Sequence, residues 1–289
     1  MSEQNTRLGI LLMIATTFVF AMQDGISRHL AAEYNVLMVV MIRYWFFAAF
    51  VIAIAMRRAG VRAAAATEQP LLQIGRALLL AAEICVMLLA FVLLGLVESH
   101  AVFACYPLLV AALSGPVLGE RVGWRRWSAI GVGFIGVLII LQPGVAVFSP
   151  AALVPLASAA MFALYGLLTR YAGRKDSTAT SFFWTGTVGA LAMTAVGLWF
   201  WEPMSAIDWL WMGALCVTGA TGHWLLIRTY EIAEASAVQP FAYFQLVFAA
   251  GLGLFVFGET LEWNVAVGGA VVIMAGLFTL MRQRQATDG

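Results

Sequence analysis

The sequence predicts an all-α membrane protein with ten transmembrane helices, arranged as two inverted five-helix repeats. Three observations predict this fold: the composition, the lengths of the apolar runs and a long internal repeat. Of the 289 residues, 63% are hydrophobic and only 11% are charged, whereas a soluble domain carries about 25% charged residues. A chain of this composition cannot bury its apolar surface by folding in water, so we expect the lipid bilayer to be its solvent.

Ten apolar runs are long enough to cross a bilayer. A transmembrane helix needs about 20 mainly apolar residues, and the runs are continuous rather than alternating, which favours helices over strands. They cover residues 8–28, 34–56, 72–95, 99–118, 127–142, 150–170, 178–200, 208–228, 236–258 and 263–281. The connections between them are short, so no soluble domain is expected.

One stretch of the chain occurs twice. The letters ESHAV at residues 98–102 return as EASAV at residues 234–238, and each is followed by an apolar run with a proline, a Gly-Glu turn and a tryptophan. The turns are Gly119-Glu120 and Gly258-Glu259. Because the repeating unit has five spans, the second copy enters the membrane from the opposite side, which is typical of secondary transporters. We therefore expect one five-helix repeat in residues 1–145 and an inverted one in residues 146–289.

The distribution of lysine and arginine predicts the orientation. If the N-terminus is cytoplasmic, fourteen of the sixteen basic residues fall on the cytoplasmic side. Of the other two, Arg28 lies outside and Arg43 lies within a span. Basic residues concentrate in cytoplasmic loops, so both termini are predicted to be cytoplasmic.

The sequence contains no pattern of an enzyme or of a cofactor site. The letters GVGFIG at residues 131–136 match a dinucleotide-binding pattern, but they lie inside the fifth span with no preceding strand, so helix packing explains them better. The three cysteines lie in apolar runs without metal-binding spacing. The net charge of +1 indicates no nucleic-acid partner. We expect no catalytic residues, no cofactor and no metal.

Two charged residues lie near the predicted midplane. Arg43 lies about nine residues into the second span and Glu83 about eleven residues into the third, and intramembrane charges are costly enough to indicate function. They could anchor a zwitterion, with Arg43 binding a carboxylate and Glu83 an amine. Alternatively, they form a structural ion pair between the two spans.

Three further polar residues have two interpretations each. Asp24, next to Gln23, lies one turn before Arg28 and could pair with it, or it could couple transport to an ion. His223 is either a hydrogen-bonded core residue or part of a transport path. His100 begins the fourth span and is interpreted as solvated at the outer surface.

Pro107 and Pro240 interrupt the fourth and ninth spans, because a proline removes a backbone donor. Interrupted helices at equivalent places in two halves point to a binding site, although kinks filled by aromatic rings are the alternative. Tyr106, Tyr243 and Gln245 flank these breaks, and we add them to the predicted substrate-binding residues. Tyr165 and Trp184, two aromatic residues of the second half, are added as well. The predicted substrate-binding residues are Gln23, Glu83, Tyr106, Tyr165, Trp184, His223, Tyr243 and Gln245; Asp24, Arg43 and Glu83 are the ion-coupling or structural charges.

The ten-span layout, the two Gly-Glu turns, the small and aromatic residues at 15–25 and Arg43 together resemble the drug/metabolite transporter superfamily, specifically its EamA-type permeases. The resemblance implies an inner-membrane transporter that exports amino acids or other small metabolites by alternating access and works as a monomer. The aromatic-amino-acid exporters are the most similar branch. The family implies a central cavity lined by helices 3, 4, 8 and 9 with 1 and 6, in which Arg43 could be structural.

Two alternatives remain at this stage. One is a nucleotide-sugar or drug/metabolite permease of the same superfamily, although Arg43 is the only arginine or lysine well inside a span, which disfavours anionic substrates. The other is an intramembrane lipid-modifying enzyme, which would need clustered acids near an interface.

Overall fold

The computed structural model describes residues 6–58, 60–119, 123–141, 150–232 and 238–287. Over these ranges the chain is helical and contains no strand, in agreement with the predicted fold class. The α-helices are α1 Thr6–Glu33, α2 Val36–Arg57, α3 Val61–Ala65, α4 Pro70–Phe103, α5 Tyr106–Leu118, α6 Trp124–Leu141, α7 Leu153–Ala172, α8 Thr178–Gly197, α9 Ala206–Ile232, α10 Phe244–Phe255 and α11 Trp263–Thr287. Short 3-10 helices cover Pro150–Ala152, Leu198–Phe200 and Gln239–Tyr243.

Five of these helices (α1, α2, α4, α7 with its preceding 3-10 turn, and α8 with its following one) are long and apolar enough to cross a membrane. Shorter apolar helices supply parts of the other spans. The third and fourth predicted spans run together in α4, whose only internal departure from helical geometry is Gly95, with φ +80° and ψ −178°. This is a conformation that essentially only glycine adopts.

The fourth and ninth spans are both broken near their prolines. The fourth span consists of the end of α4, a turn at Ala104 and Cys105, and α5, where Pro107 stands in the first turn. The ninth span begins as the 3-10 helix Gln239–Tyr243, again with a proline in its first turn, and continues as α10. The interruptions predicted from the sequence are therefore present in both halves. Residues 234–237 of the repeated letters and the turn residues Glu120 and Arg121 lie outside the described residues.

The helix ends form two faces. The arginine-rich face carries the loop after α2 and the turn between α7 and α8, with exposed Arg57, Arg58, Arg62, Arg174 and Lys175. The tryptophan-rich face carries the turns after α1, α8 and α10, with exposed Trp199, Trp201, Trp209, Trp211 and Trp263. Aromatic belts and basic flanks of this kind are typical of membrane–water interfaces.

Helices α6 and α11 pack at the closest distance that their backbones allow. A Cβ added to Gly136 would lie 2.8 Å from the carbonyl oxygen of Gly268, and a Cβ added to Gly268 would lie 2.5 Å from that of Gly136. The side-chain amide of Asn264 also donates to the carbonyl oxygen of Ile140, at 3.0 Å. Gly133 and Gly136 of the GVGFIG pattern thus serve helix packing, as the sequence predicted, whereas nothing lies within 4 Å of a Cβ placed on Gly131.

A buried polar network joins α4, α7 and α8 near the arginine-rich face. Arg76 is 1% exposed, and its guanidinium donates to Gln73, to Thr169 and to Ser181. The sequence-based charge count had placed this arginine among the cytoplasmic flanks, whereas the structure places it inside the helix bundle. Its hydrogen bonds explain how a charge is tolerated there, because a buried charge needs several partners.

Asp176, in the turn between α7 and α8, fastens the loop before α4 to this network. Its carboxylate accepts hydrogen bonds from the Thr67 hydroxyl at 2.6 Å and from the Gln73 amide at 2.7 Å. Burial alone would raise the pKa of Asp176, but the hydrogen bonds from Thr67, Gln73 and the Glu68 amide outweigh it, and the pKa lies below its ordinary value. The carboxylate therefore stays ionised and holds the loop in place.

Candidate functional site

Asp24 of α1 lies at a junction of three helical segments. The side-chain amide of Gln245, on α10, donates to Asp24 Oδ2 at 3.0 Å. The Nε2 atom of His100, near the end of α4, lies 3.3 Å from the same oxygen. The pairing of Asp24 with Arg28 expected from their spacing is not formed, because Arg28 pairs with Glu259 instead. The Asp24 side chain instead contacts Gln245 and His100 and is mostly buried.

The interpretation of His100 as a solvated surface residue was wrong. The side chain is 5% exposed, and its ring stacks on Phe91 with centroids 5.3 Å apart. The reason is the course of α4, which passes through Gly95 without a loop and so keeps His100 within the helix bundle. The sequence contained one signal for this residue, its position inside the repeated segment.

A chain of aromatic rings extends from His100 into the second repeat. The ring centroids of Phe103 and Tyr106 lie 5.3 Å apart, those of Tyr106 and Phe162 5.1 Å apart, and those of Phe162 and Tyr165 6.2 Å apart. These spacings are typical of attractive aromatic contacts. Tyr106 and Tyr165 were predicted for the site, whereas the two phenylalanines were missed because nothing distinguishes them from core residues in the sequence.

A first cavity lies beside these rings. It brings together three of the predicted residues with the proline break and the buried histidine. Its lining includes His100, Phe103, Tyr106, Pro107, Tyr243 and Gln245. The Tyr243 hydroxyl is buried and has no hydrogen-bond partner within the described part of the chain. The Gln245 amide and the His100 imidazole are the polar groups of a lining that is otherwise aromatic and aliphatic.

The second cavity contains Arg43 and His223. Its other walls are apolar and include Tyr44, Phe47, Ile84 and Gly219. His223 Nδ1 lies 2.9 Å from the Gly219 carbonyl oxygen, and the ring packs against Phe20, Phe47 and Phe182. This hydrogen bond within α9 orients the imidazole. His223 is therefore a hydrogen-bonded residue that also lines a cavity, so each of the two interpretations made from the sequence describes part of its environment.

Gln23 lies between the two cavities. It is 5% exposed, and a Cβ built on Gly219 of the second cavity would lie 3.2 Å from its Oε1 atom. The next residue, Asp24, bonds Gln245 of the first cavity. Gln23 Oε1 is buried and has no hydrogen-bond partner among the residues the structure describes.

Glu83 and Arg43 do not form the structural ion pair that was one of the two sequence-based alternatives; among the described side chains no salt bridge joins them. Glu83 is 5% exposed and accepts a hydrogen bond of 2.7 Å from the Ser158 hydroxyl of α7. Arg43 is half-buried at the cavity. The guanidinium is thus not in direct contact with the Glu83 carboxylate.

Trp184 is separate from both cavities. Its indole nitrogen donates to the Ala65 carbonyl oxygen, at 3.2 Å, in the loop on the arginine-rich face. Its ring packs with the small cluster around Val51, Ala55 and Phe183. Trp184 therefore anchors this loop and does not line either cavity, although it was predicted as a substrate-binding residue. Tyr165, by contrast, lies between the aromatic chain and the guanidinium of Arg76, which is 5.5 Å from its ring centroid.

The comparison with protein families agrees with this architecture. The family model described as "EamA-like transporter family" matches the chain twice, over residues 7–142 and 149–282. The chain belongs to this family. It is therefore a multi-pass membrane transporter of the drug/metabolite transporter superfamily, with the fold of two five-helix repeats that the sequence predicted.

Several relatives are similar over almost their whole length. The chain is 25% identical to an S-adenosylmethionine uptake transporter of Rickettsia prowazekii over 281 residues, covering 96% of this chain and 94% of the relative. It is 27% identical to a riboflavin transporter of Vibrio cholerae, covering 93% and 92%. It is 24% identical to the pseudopaline exporter CntI of Pseudomonas aeruginosa, covering 92% and 94%. These relatives are transporters by name, not enzymes, and they do not single out the aromatic-amino-acid exporters.

The fold is also similar to a solved crystal structure. The two chains superpose with a TM-score of 0.63 at 17% identity, covering 98% of this chain and 99% of the other. This likeness concerns the fold alone.

Proposed function

We propose that the protein exports small zwitterionic metabolites by alternating access. The substrates would be amino acids with aromatic or other neutral side chains, or larger molecules that combine an amino-acid group with a planar ring. The observation that carries this proposal is the Asp24 carboxylate, which lies among Gln245, His100 and a chain of aromatic rings.

The first cavity has the chemistry to bind a cation and a ring together. A carboxylate within a mostly buried site attracts an ammonium group, and aromatic faces attract cations and stack on planar groups. Asp24 takes the role of amine anchor that the sequence analysis gave to Glu83, because Glu83 is held by Ser158. Burying an ionisable side chain within the membrane is energetically costly, so such a residue usually belongs to a substrate or ion path. Asp24 and Glu83 are also the proposed sites of any proton coupling.

The second cavity supplies the opposite charge. The Arg43 guanidinium presents donors in a fork that fits a carboxylate, and the Glu83 carboxylate is not in direct contact with it. Gln23 packs against Gly219, which lines this cavity, and the next residue, Asp24, bonds Gln245 of the first cavity. A substrate whose cationic centre lies apart from its carboxylate could direct the cation towards Asp24 and the carboxylate towards Arg43.

The names of the relatives provide a discriminating ligand panel. S-adenosylmethionine combines an amino-acid group, a further cationic centre and a heteroaromatic ring, so the two cavities together suit its chemistry. Riboflavin has a planar ring system but no amino-acid group, and we expect it to bind more weakly. Tryptophan and phenylalanine test the aromatic amino acids directly.

Ligand binding to the purified protein tests the substrate class. A ligand that binds the folded state raises its apparent thermal stability, so the four compounds are first compared by thermal shift. A compound that binds is then followed by counterflow in proteoliposomes. Stabilisation by the amino-acid compounds but not by riboflavin is expected; stabilisation by riboflavin alone would overturn the zwitterion proposal.

Two substitutions test the two anchors. Asp24→Asn should weaken binding of every amine in the panel, and Arg43→Gln should weaken amino acids while leaving tryptamine, which lacks the carboxylate, unaffected. Losing a hydrogen bond to a charged group corresponds to about 1.5–3 kcal/mol, or roughly a 10- to 150-fold fall in affinity. Glu33→Gln and Arg57→Gln are the matched controls, because they remove an exposed charge from the ends of the same helices.

We also propose that the arginine-rich face is cytoplasmic, with both termini inside, and that the protein works as a monomer in the inner membrane. The excess of basic residues on that face supports this orientation. A single cysteine at exposed Ala206 should react with a membrane-impermeant maleimide on whole cells, and one at exposed Ala63 should not. The reverse result would invert the proposed topology.

A further inference from the structure

Glu259, in the turn after α10, is bound to the backbone of α4. Its two carboxylate oxygens accept the amide protons of Leu96 and Val97, each at 2.8 Å. The same carboxylate pairs with Arg28 of α1, whose guanidinium lies 4.2 Å from the ring centroid of Phe257. One carboxylate therefore joins three elements that are far apart in sequence.

The break at Gly95 explains why these two amides are available. A helix that restarts after a non-helical residue leaves its first amide groups without partners, and a negative charge is favourable at such an end. The site also requires two glycines. A Cβ on Gly95 would lie 2.5 Å from Glu259 Oε1, and a Cβ on Gly253 would lie 2.6 Å from Oε2.

Two partners of Glu259 lie one helical turn from Asp24 and His100. Arg28 follows Asp24 by four positions in α1, and Leu96 precedes His100 by four positions in α4. Four residues correspond to about 6 Å along a helix. Glu259 thus ties together the same two helices whose side chains meet at Asp24 and His100, 3.3 Å apart.

We propose that Glu259 is a positioning residue for transport. It fixes the α4 segment from Leu96 to Phe103 against α1, and thereby aims His100 and Phe103 at the space beside Asp24. Glu259 does not contact the substrate. The functional part of this inference rests on the proposed substrate site, whereas the structural part can be tested without any ligand.

Glu259→Gln and Glu262→Gln make a matched pair. Both remove one negative charge from the same loop without changing the side-chain size, but Glu262 is exposed and does not accept the α4 amides. In Glu259→Gln one acceptor oxygen becomes an NH₂ group that faces a backbone N–H donor. We expect amide exchange of the segment 96–103 to become roughly 10- to 100-fold faster, the loss for a charged hydrogen bond, and the ¹⁵N resonances of His100 to shift.

Glu262→Gln should leave both measurements as in the wild type. Arg28→Gln is the second variant, because it keeps the amide bonds and removes only the link to α1; it should shift the His100 resonances with a smaller change in exchange. Unchanged exchange and His100 signals in Glu259→Gln and Arg28→Gln would overturn the proposal, as would a uniform loss of protection over the whole chain.

A double-mutant cycle on ligand affinity separates positioning from general stabilisation. If Glu259 acts through His100, Glu259→Gln should reduce affinity in the wild type but have little further effect in a His100→Gln background, since residues that act as a unit are not additive. Additive losses would contradict the positioning role. If the wild type binds none of the panel, the proposed function fails, and the exchange and resonance measurements still decide the role of Glu259.

Discussion

Replacing Gly95 with alanine tests how strongly the break in α4 is built into the fold. The residue has φ +80° and ψ −178°, a conformation that costs a non-glycine residue about 1–3 kcal/mol. The new methyl group would also lie 2.5 Å from Glu259 Oε1 and 2.6 Å from its Cδ atom. The carboxylate would have to leave the Leu96 and Val97 amides, and a buried donor without a partner costs about another 1–3 kcal/mol.

The two effects together predict a destabilisation of roughly 2–6 kcal/mol. Gly251→Ala is the matched control, because Gly251 lies within α10 and a Cβ there would meet nothing within 4 Å; alanine should be neutral or stabilise by up to about 1 kcal/mol. Unfolding of the purified proteins in mixed micelles of increasing denaturing-detergent content, followed by tryptophan fluorescence, measures the difference. Equal stability of the two variants would refute the reasoning about Gly95.

Three further predictions concern other contacts. Ser158→Ala should lower the unfolding free energy by about 1.5–3 kcal/mol, measured in the same assay, because buried Glu83 loses its hydrogen bond; a neutral result would contradict the contribution assigned to this bond. Trp184→Phe should cost about 0.5–1.5 kcal/mol for the bond to Ala65 and leave ligand affinity unchanged; reduced affinity would return the tryptophan to the site. The pKa of Asp176 is lower in the folded state than its ordinary value. Its stabilising contribution should therefore be present above about pH 4 and be lost as the pH falls further through the lowered pKa. Asp176→Asn should remove this part of the acid sensitivity, and an unchanged dependence of stability on pH would contradict the prediction.

The architecture could be predicted because it depends on properties that act along the chain. Apolar length, the five-span repeat and the placement of Pro107 and Pro240 are local signals, and the structure contains the expected helices and both breaks. Tyr106, Tyr243 and Gln245 were predicted because they flank those breaks, and the structure places all three at one cavity. The repeat also helps, because a proline break recognised in one half indicates where to expect the equivalent break in the other.

The partners of the charged residues could not be predicted in the same way. Asp24 and Arg28 are spaced to pair within one helix, but Glu259, 231 positions further on, binds Arg28 instead. A partner that is as distant in sequence as Glu259 can be identified only once the packing of the helices is known. His100 illustrates the same limit, since its burial depends on Gly95 allowing two spans to continue without a loop, and no property of the histidine itself indicates this.

The glycine contact between α6 and α11 has a mechanical consequence. Gly136 faces the Gly268 carbonyl, and Gly268 faces the Gly136 carbonyl, at distances that leave no room for a methyl group. A shift of either helix along the other would drive a side chain of the next turn into this contact, because packed interiors yield discontinuously rather than gradually. We therefore expect the fifth and tenth spans, α6 and α11, to keep their relative position, and the fourth and ninth spans, which are interrupted near their prolines, to allow more movement.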